Sequence, residues 1–170
     1  MEKFEIFTDR LIITEFEESM AESVHKNSLD EDNRRFVPDE VFETVEEAHE
    51  GIRFLMERYK SLEGPFVYPV LLKSGENIGY VQAVKRDEGW EVGYHIAANF
   101  TGKGYVTEAL RAFVPVIMKK LGIDIMWGFC RGDNIASRRV LEKCSFLLEQ
   151  KHFDDYQGQT QEIYKYLYRL

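Results

Sequence analysis

The chain has 170 residues, 44% of them hydrophobic and 31% charged, with a formal net charge of −8. That length supports a single domain spanning 1–170, with roughly two-thirds of its unfolded surface buried on folding. The acidic balance excludes a broad nucleic-acid footprint, and no apolar run approaches the roughly 20 residues of a membrane helix, so neither nucleic acid nor membrane is an expected partner.

In chain order, Leu11 to Phe16 has the apolar content of a first strand, and Glu17 to Ser28 reads as helix until Asp30-Glu31-Asp32-Asn33 breaks it. A second helix starts at Thr44, with Glu47 placed to reach back as in a capping box. Its apolar face is Val45, Ala48, Ile52, Leu55, Met56 and Tyr59, the 3.6-residue pattern. Phe66 to Leu72 and Asn77 to Val84 are β-rich runs around the turn Lys73-Ser74-Gly75-Glu76, and Asp87-Glu88-Gly89 leads into a third strand, Trp90 to Ala98. From Tyr105 a helix carries Val106, Ala109, Leu110, Phe113, Val114, Ile117 and Leu121 on one side, with Pro115 expected to remove one hydrogen bond. Asp124 to Phe129 reads as strand, and Asp133-Asn134 caps a helix running to about Lys143. Phe146 to Gln150 and Glu162 to Leu170 are the closing strands, with the polar segment Asp154 to Gln161 between them. Helices set around a mostly antiparallel sheet define an α+β fold. A dinucleotide-binding domain needs its glycine motif in a first βαβ unit, which this order lacks.

Between the third strand and the helix at Tyr105 lies Asn99-Phe100-Thr101-Gly102-Lys103-Gly104-Tyr105. Two glycines two apart at a helix start allow backbone N–H groups to surround a phosphate, and the helix end adds about half a positive charge. Asn99 to Lys143 holds eight Lys/Arg against four Asp/Glu, leaving 14 against 26 in the rest of the chain. A locally basic segment on an acidic chain fits a multiply phosphorylated ligand. Cys130 and Cys144 have no C-x-x-C spacing and no His pair beside them, so reduced thiols and a cytoplasmic location are expected. His25, His49, His95 and His152 show no metal-ligand spacing, and no metal is implied. The start, Met1-Glu2-Lys3-Phe4-Glu5, lacks the basic beginning and apolar core of a signal peptide.

Three stretches carry a resemblance. Thr8-Asp9-Arg10-Leu11-Ile12-Ile13, then Glu91-Val92-Gly93-Tyr94 with Gly102-Lys103-Gly104-Tyr105-Val106-Thr107-Glu108-Ala109, then Asn134-Ile135-Ala136-Ser137 with Val140-Leu141-Glu142-Lys143 and Phe146, follow one another in this order. Together they resemble the GNAT superfamily of acetyl-coenzyme A-dependent N-acetyltransferases, in particular the branch of ribosomal-protein N-terminal acetyltransferases. The resemblance implies a mostly antiparallel sheet splayed at a cofactor cleft, with helices on both sides. It implies acetyl-coenzyme A as cosubstrate. The backbone of Ile96 and Ala97 would hold the pantetheine arm, and the amides of Phe100, Thr101, Gly102, Lys103, Gly104 and Tyr105 the pyrophosphate. Asn134 would touch the cofactor, or serve as a helix N-cap, and Lys143 would reach an outer phosphate. Three departures stand out: Asn99 where the family loop begins with Arg or Gln, Ser145 where Gly is common, and Leu141 where many relatives place a tyrosine acid.

The implied reaction is direct attack of a primary amine on the thioester, which requires a proton acceptor and a donor for the leaving thiolate. Glu91 is the candidate base, or a strand residue in a salt bridge, because alternation alone does not say which side it faces. Ser137 is the candidate donor. Cys144 as a nucleophile lacks a His-Asp pair to activate it, and packing is the better reading. Tyr94 and His95 can line the acceptor channel, with one of the two in the core. Between Thr14 and Glu50 lie thirteen Asp/Glu and three Lys/Arg, which would draw a cationic amine or a protein N-terminus and would equally serve as a solvated face. A non-catalytic acyl-coenzyme A sensor and a small-molecule resistance enzyme are the other readings. The choice between monomer and homodimer stays open.

Overall fold

The computed structural model describes residues 2–156 and 158–170; Met1, in the N-terminal stretch discussed above, and Gln157, inside the polar segment, lie outside them. Eight strands form one sheet in the order β1-β2-β3-β4-β5-β6-β8-β7, with β1 (Ile6–Phe7), β2 (Leu11–Ile13), β3 (Phe66–Leu72), β4 (Asn77–Arg86), β5 (Gly89–Ile96), β6 (Ile125–Arg131), β7 (Leu147–Tyr156) and β8 (Gln159–Arg169). The helices are α1 (Ala21–Ser28), α2 (Glu31–Phe36), α3 (Val45–Arg58), α4 (Tyr105–Leu121) and α5 (Ile135–Lys143), with single 3-10 turns at Glu18–Met20, Pro38–Glu40 and Ala98–Phe100. The α+β class expected from the element order is the one observed.

Every strand pair is antiparallel except β5 with β6. Those two run parallel, joined by α4, and their ladder holds only Glu91↔Trp127 and Val92↔Gly128. Beyond these rungs the strands part. Gly128 marks the last one because α5 presses close there: a Cβ on it would lie 2.7 Å from Leu141 Cδ2.

Three local expectations change. The strand expected over Leu11 to Phe16 is β2, preceded by the short β1, and it ends at Ile13. Thr14 N–H still donates to the Pro69 carbonyl at 3.3 Å, but Pro69 has no N–H to return, so the ladder stops. The chain runs on through a side chain instead: Phe16 N–H donates to Tyr59 Oη at 3.1 Å, and Tyr59 Oη donates to the Val67 carbonyl. Second, the acidic stretch at Asp30 is not only a breaker; it opens α2, whose acidic first turn (Glu31, Asp32) and basic last turn (Arg34, Arg35) suit the helix dipole. Third, most of the polar segment after Asp154 belongs to the β7 and β8 strands of a hairpin. At α3 the Thr44 cap forms as expected, Oγ1 accepting from Glu47 N at 3.1 Å, while Glu47 reaches back one residue further, Oε2 accepting from Glu43 N at 2.8 Å.

The core sits between α4 and the sheet. Ala109, Leu110, Phe113, Val114, Ile117 and Met118 are buried along α4, and Pro115 lies within the helix without ending it. Phe113 meets Tyr68 and Phe4 edge-on, while Tyr68 stacks between Phe4 and Tyr59. Tyr59→Phe leaves a buried N–H of Phe16 and a buried carbonyl of Val67 without their partner. The expected loss is about 1–3 kcal/mol of unfolding free energy. A urea titration measures it, and an unchanged midpoint would remove Tyr59 as the tie between these segments.

Candidate active site

Where β5 and β6 part, an open cleft of about 2220 Å³ runs through the sheet, lined from both faces. Strand alternation sorts its walls. Glu91, Gly93 and His95 of β5 face α1 and α2, since His95 Nε2 lies 3.2 Å from Asp30 Oδ2 and Gln82, the partner of Gly93, reaches Glu40. Val92, Tyr94 and Ile96 face α5, since Tyr94 Oη lies 2.6 Å from Ser137 Oγ. Both Tyr94 and His95 line the cleft, on opposite sides, and neither is spent on the core alone.

On the α5 side, Gly102 (φ +74°) and Gly104 (φ +80°) take the left-handed turn that the loop needs, and no side chain caps α4. The first N–H groups of the helix therefore face the loop without a side-chain partner. Phe100, Thr101, Gly102, Gly104 and Tyr105 line the cleft; Lys103 does not, but its carbonyl is held from outside. Arg10 Nη1 donates to that carbonyl at 2.9 Å, and Arg10 Nε donates to Glu108 Oε2 at 2.6 Å. Thr8 Oγ1 donates to Glu108 Oε1 at 2.7 Å. Burial works against the Glu108 carboxylate, but these bonds from Thr8 and Arg10 outweigh it and hold its pKa below the usual range. Arg10 as the brace of the loop was missed from sequence; the Thr-Asp-Arg motif itself was the only signal. Asn134 is the N-cap of α5, accepting from Ser137 N at 3.2 Å, and also lines the cleft. Lys143 lines it as well and borders a smaller hollow shared with Arg10, Gly104 and Thr107.

The pairing of β4 with β5 decides which backbone groups face the gap. Ala97 N–H donates to the Ile78 carbonyl at 2.8 Å, and the Ala97 carbonyl accepts from Phe100 N at 2.8 Å. Both groups of Ala97 are thus taken inside the protein. Because antiparallel ladders alternate, the N–H and C=O of Ile96 and Tyr94 turn the other way, into the gap. Of the two residues expected there, Ile96 turns its backbone groups to the gap and Ala97 bonds its own within the protein.

Ser145, where glycine was expected, still adopts φ +67°, so the turn after α5 is kept at a cost of about 1–2 kcal/mol. Leu141 is fully buried against Gly128. Tyr94 brings a hydroxyl beside Ser137; burial pushes this phenol well above its usual pKa while the Ser137 bond pulls it down. Burial also pushes the thiols of Cys130 and Cys144 up to about 11. Cys144 is buried with Sγ directed at the Thr107 carbonyl, so packing accounts for it.

On the α1–α2 side, Glu91 lines the cleft and accepts from Arg86 Nε at 3.0 Å, the salt bridge of its second reading. Burial raises its pKa, with Arg86 opposing. Burial also raises that of Glu40, with Gln82 opposing and the negative charges of Glu91 and Asp39 adding to the rise. Burial keeps His95 below its usual value against the pull of Asp30. Asp30, Asp39 and Glu40 thus border an acidic mouth, whereas Arg139 and Lys143 of α5 border the other side.

A parallel pair of strands parts over a glycine loop, with the half-buried carboxylate of Glu91 on the far face. The chain matches the model of the acetyltransferase (GNAT) domain over residues 10–147 and belongs to that family. It is similar to the uncharacterized N-acetyltransferase YnaD of Bacillus subtilis (strain 168), 28% identical over 141 residues, covering 81% of this chain and 79% of that one. Its fold is similar to ribosomal-protein-S5-alanine acetyltransferase from Vibrio fischeri (TM-score 0.85, 17% identity, 98% and 96% of the two chains). It is also similar to RimL, ribosomal L7/L12 alpha-N-protein acetyltransferase, in complex with coenzyme A (TM-score 0.84, 19% identity, 99% and 98%).

Proposed function

We propose that this single-domain protein transfers acetyl from acetyl-coenzyme A to a primary amine, with a protein N-terminus as the favoured acceptor, in a ternary complex. The observation that carries the reading is the parted β5–β6 pair, with an uncapped glycine loop on one face and Glu91 on the other. The gap fits the cofactor: the backbone of Tyr94 and Ile96 would take the pantetheine arm as an added strand. The loop amides from Phe100 to Tyr105 would take the pyrophosphate, with Asn134 and Lys143 beside them. Acetyl-coenzyme A supplies an activated acetyl group.

The chain's own residues divide the proton work between the two faces. Glu91 receives the proton that the amine nitrogen loses as its new bond forms. Tyr94 Oη and Ser137 Oγ, 2.6 Å apart, hold a proton for the departing sulfur. The acidic mouth at Asp30, Asp39 and Glu40 attracts an amine that travels as a cation and gives its extra proton to solvent before it attacks. The free thiols Cys130 and Cys144 fit a reducing, cytoplasmic setting. The ribosomal-protein acetyltransferases named above support the choice of a protein N-terminus over a small amine.

Acetyl-coenzyme A at 100 times its Kd is expected to add about 2.7 kcal/mol of stability, read as a raised Tm. A flat melting curve at millimolar cofactor would sink the reading. Thiol release is then followed across N-terminal peptides and alkylamines. Tight cofactor binding without release on any acceptor points instead to a non-catalytic sensor.

A further inference from the structure

Gln82 belongs to no step derived so far, yet it lines the cleft beside Glu40 on the side of Glu91. Gln82 is paired with Gly93 across the β4–β5 ladder, and its side chain lies over that glycine. A Cβ at position 93 would come within 2.5 Å of Gln82 Nε2 and 2.8 Å of Gln82 Cγ. Glycine there makes room for an amide.

The amide has a fixed orientation. Gln82 Nε2 donates to Glu40 Oε1 at 3.0 Å, while Glu40 Oε2 is sealed from solvent without a partner among the described residues. Ionised, the carboxylate can only accept. Nε2 therefore turns toward the carboxylate, and Gln82 Oε1 is left to the cleft, where it makes no hydrogen bond among the described residues and is not sealed from solvent. Glu91 stands two residues from Gly93 on the same face of β5, so Gln82 and Glu91 are diagonal cross-strand neighbours, about 7–8 Å apart at the backbone. Two acceptors of different kinds therefore border one pocket.

Resting on the acetyl transfer proposed above, we propose that Gln82 is the residue that selects primary amines, its Oε1 accepting the second N–H of the incoming nucleophile, with Glu40 as its positioning residue. A neutral primary amine carries two N–H groups and a lone pair. One N–H goes to Glu91, the other to Gln82, and the lone pair is left for the acetyl carbon. A secondary amine or an alcohol brings one hydrogen and leaves Gln82 Oε1 unmatched, a selection of the kind that sites with fixed polar groups make.

The test compares matched acceptors: a seryl-initiated peptide with its N-methyl counterpart, and n-butylamine with N-methylbutylamine and butan-1-ol. Wild-type protein is expected to favour the primary amine of each pair at least tenfold in kcat/KM. Gln82→Met, close in shape but without the acceptor, lowers kcat/KM for the primary amine tenfold or more and changes the N-methyl compounds less than twofold. The Tm rise with acetyl-coenzyme A stays at the wild-type value. Glu40→Ala leaves Gln82 in place but frees its amide to turn, and it moves the same ratio in the same direction; it decides the matter should Gln82→Met fail to fold. A primary-to-N-methyl ratio unchanged in the variants overturns this inference and leaves acetyl transfer standing. No thiol release by the wild type with any acceptor overturns both.

Discussion

Glu91→Gln is expected to lower kcat by about 10²–10⁴, the usual contribution of a placed general base. The substitution keeps the shape of the side chain and an oxygen for the Arg86 Nε donor, so the melting temperature and the response to acetyl-coenzyme A should stay near wild type. The pH profile gives the second half of the test. Burial raises the Glu91 carboxyl above its ordinary range, and Arg86, with its bond to Oε2, pulls the other way. A base works only when deprotonated, so wild-type kcat/KM falls as pH drops through this raised value, and the acid limb lies above that of an ordinary glutamate. Glu91→Gln loses that limb along with the rate. Turnover equal to wild type across the pH range would remove Glu91 from the reaction.

Phe113→Ala is expected to destabilise the protein by about 3–5 kcal/mol, as large-to-small changes at fully buried aromatics do. Phe113 is wholly buried and stands edge-on to Tyr68 and Phe4, joining α4 to β3 and the N-terminal segment. Its removal leaves a void among three rings that are themselves stacked and cannot close over it. For a chain of this size each kcal/mol lowers Tm by roughly 2–4 °C. Because α4 begins at the glycine loop, the loss should be largest without cofactor and partly recovered on its addition. A loss under about 1 kcal/mol would mean that α4 is anchored elsewhere.

The regular elements were legible wherever a local pattern decides them. The Thr44 cap of α3, the apolar stripe of α4 and the hairpin around Gly75 all rest on residues within a few positions of one another. What escaped depends on partners far apart in the chain. Arg10 and Lys103 are 93 residues apart and Gln82 and Glu40 are 42 apart, and neither bond leaves a local signature. The early end of β2 follows from a proline in a different strand. The short helix α2 carries a readable dipole pattern, acidic first and basic last, that was outweighed by its cluster of turn-forming residues. Glu91, Ser137 and the glycine loop could be named from sequence, but their division between two faces could not, because it depends on where β5 leaves β6.

That division has a consequence for how the chain can vary. Glu91 and Tyr94 come from a single short strand and project to opposite sides because an odd number of steps separates them. Adding or deleting one residue between the two would throw both onto the same side of the sheet, whereas length changes in the exposed turn between β3 and β4 touch neither. Spacing inside this strand is therefore a stricter requirement than the identity of most residues around it.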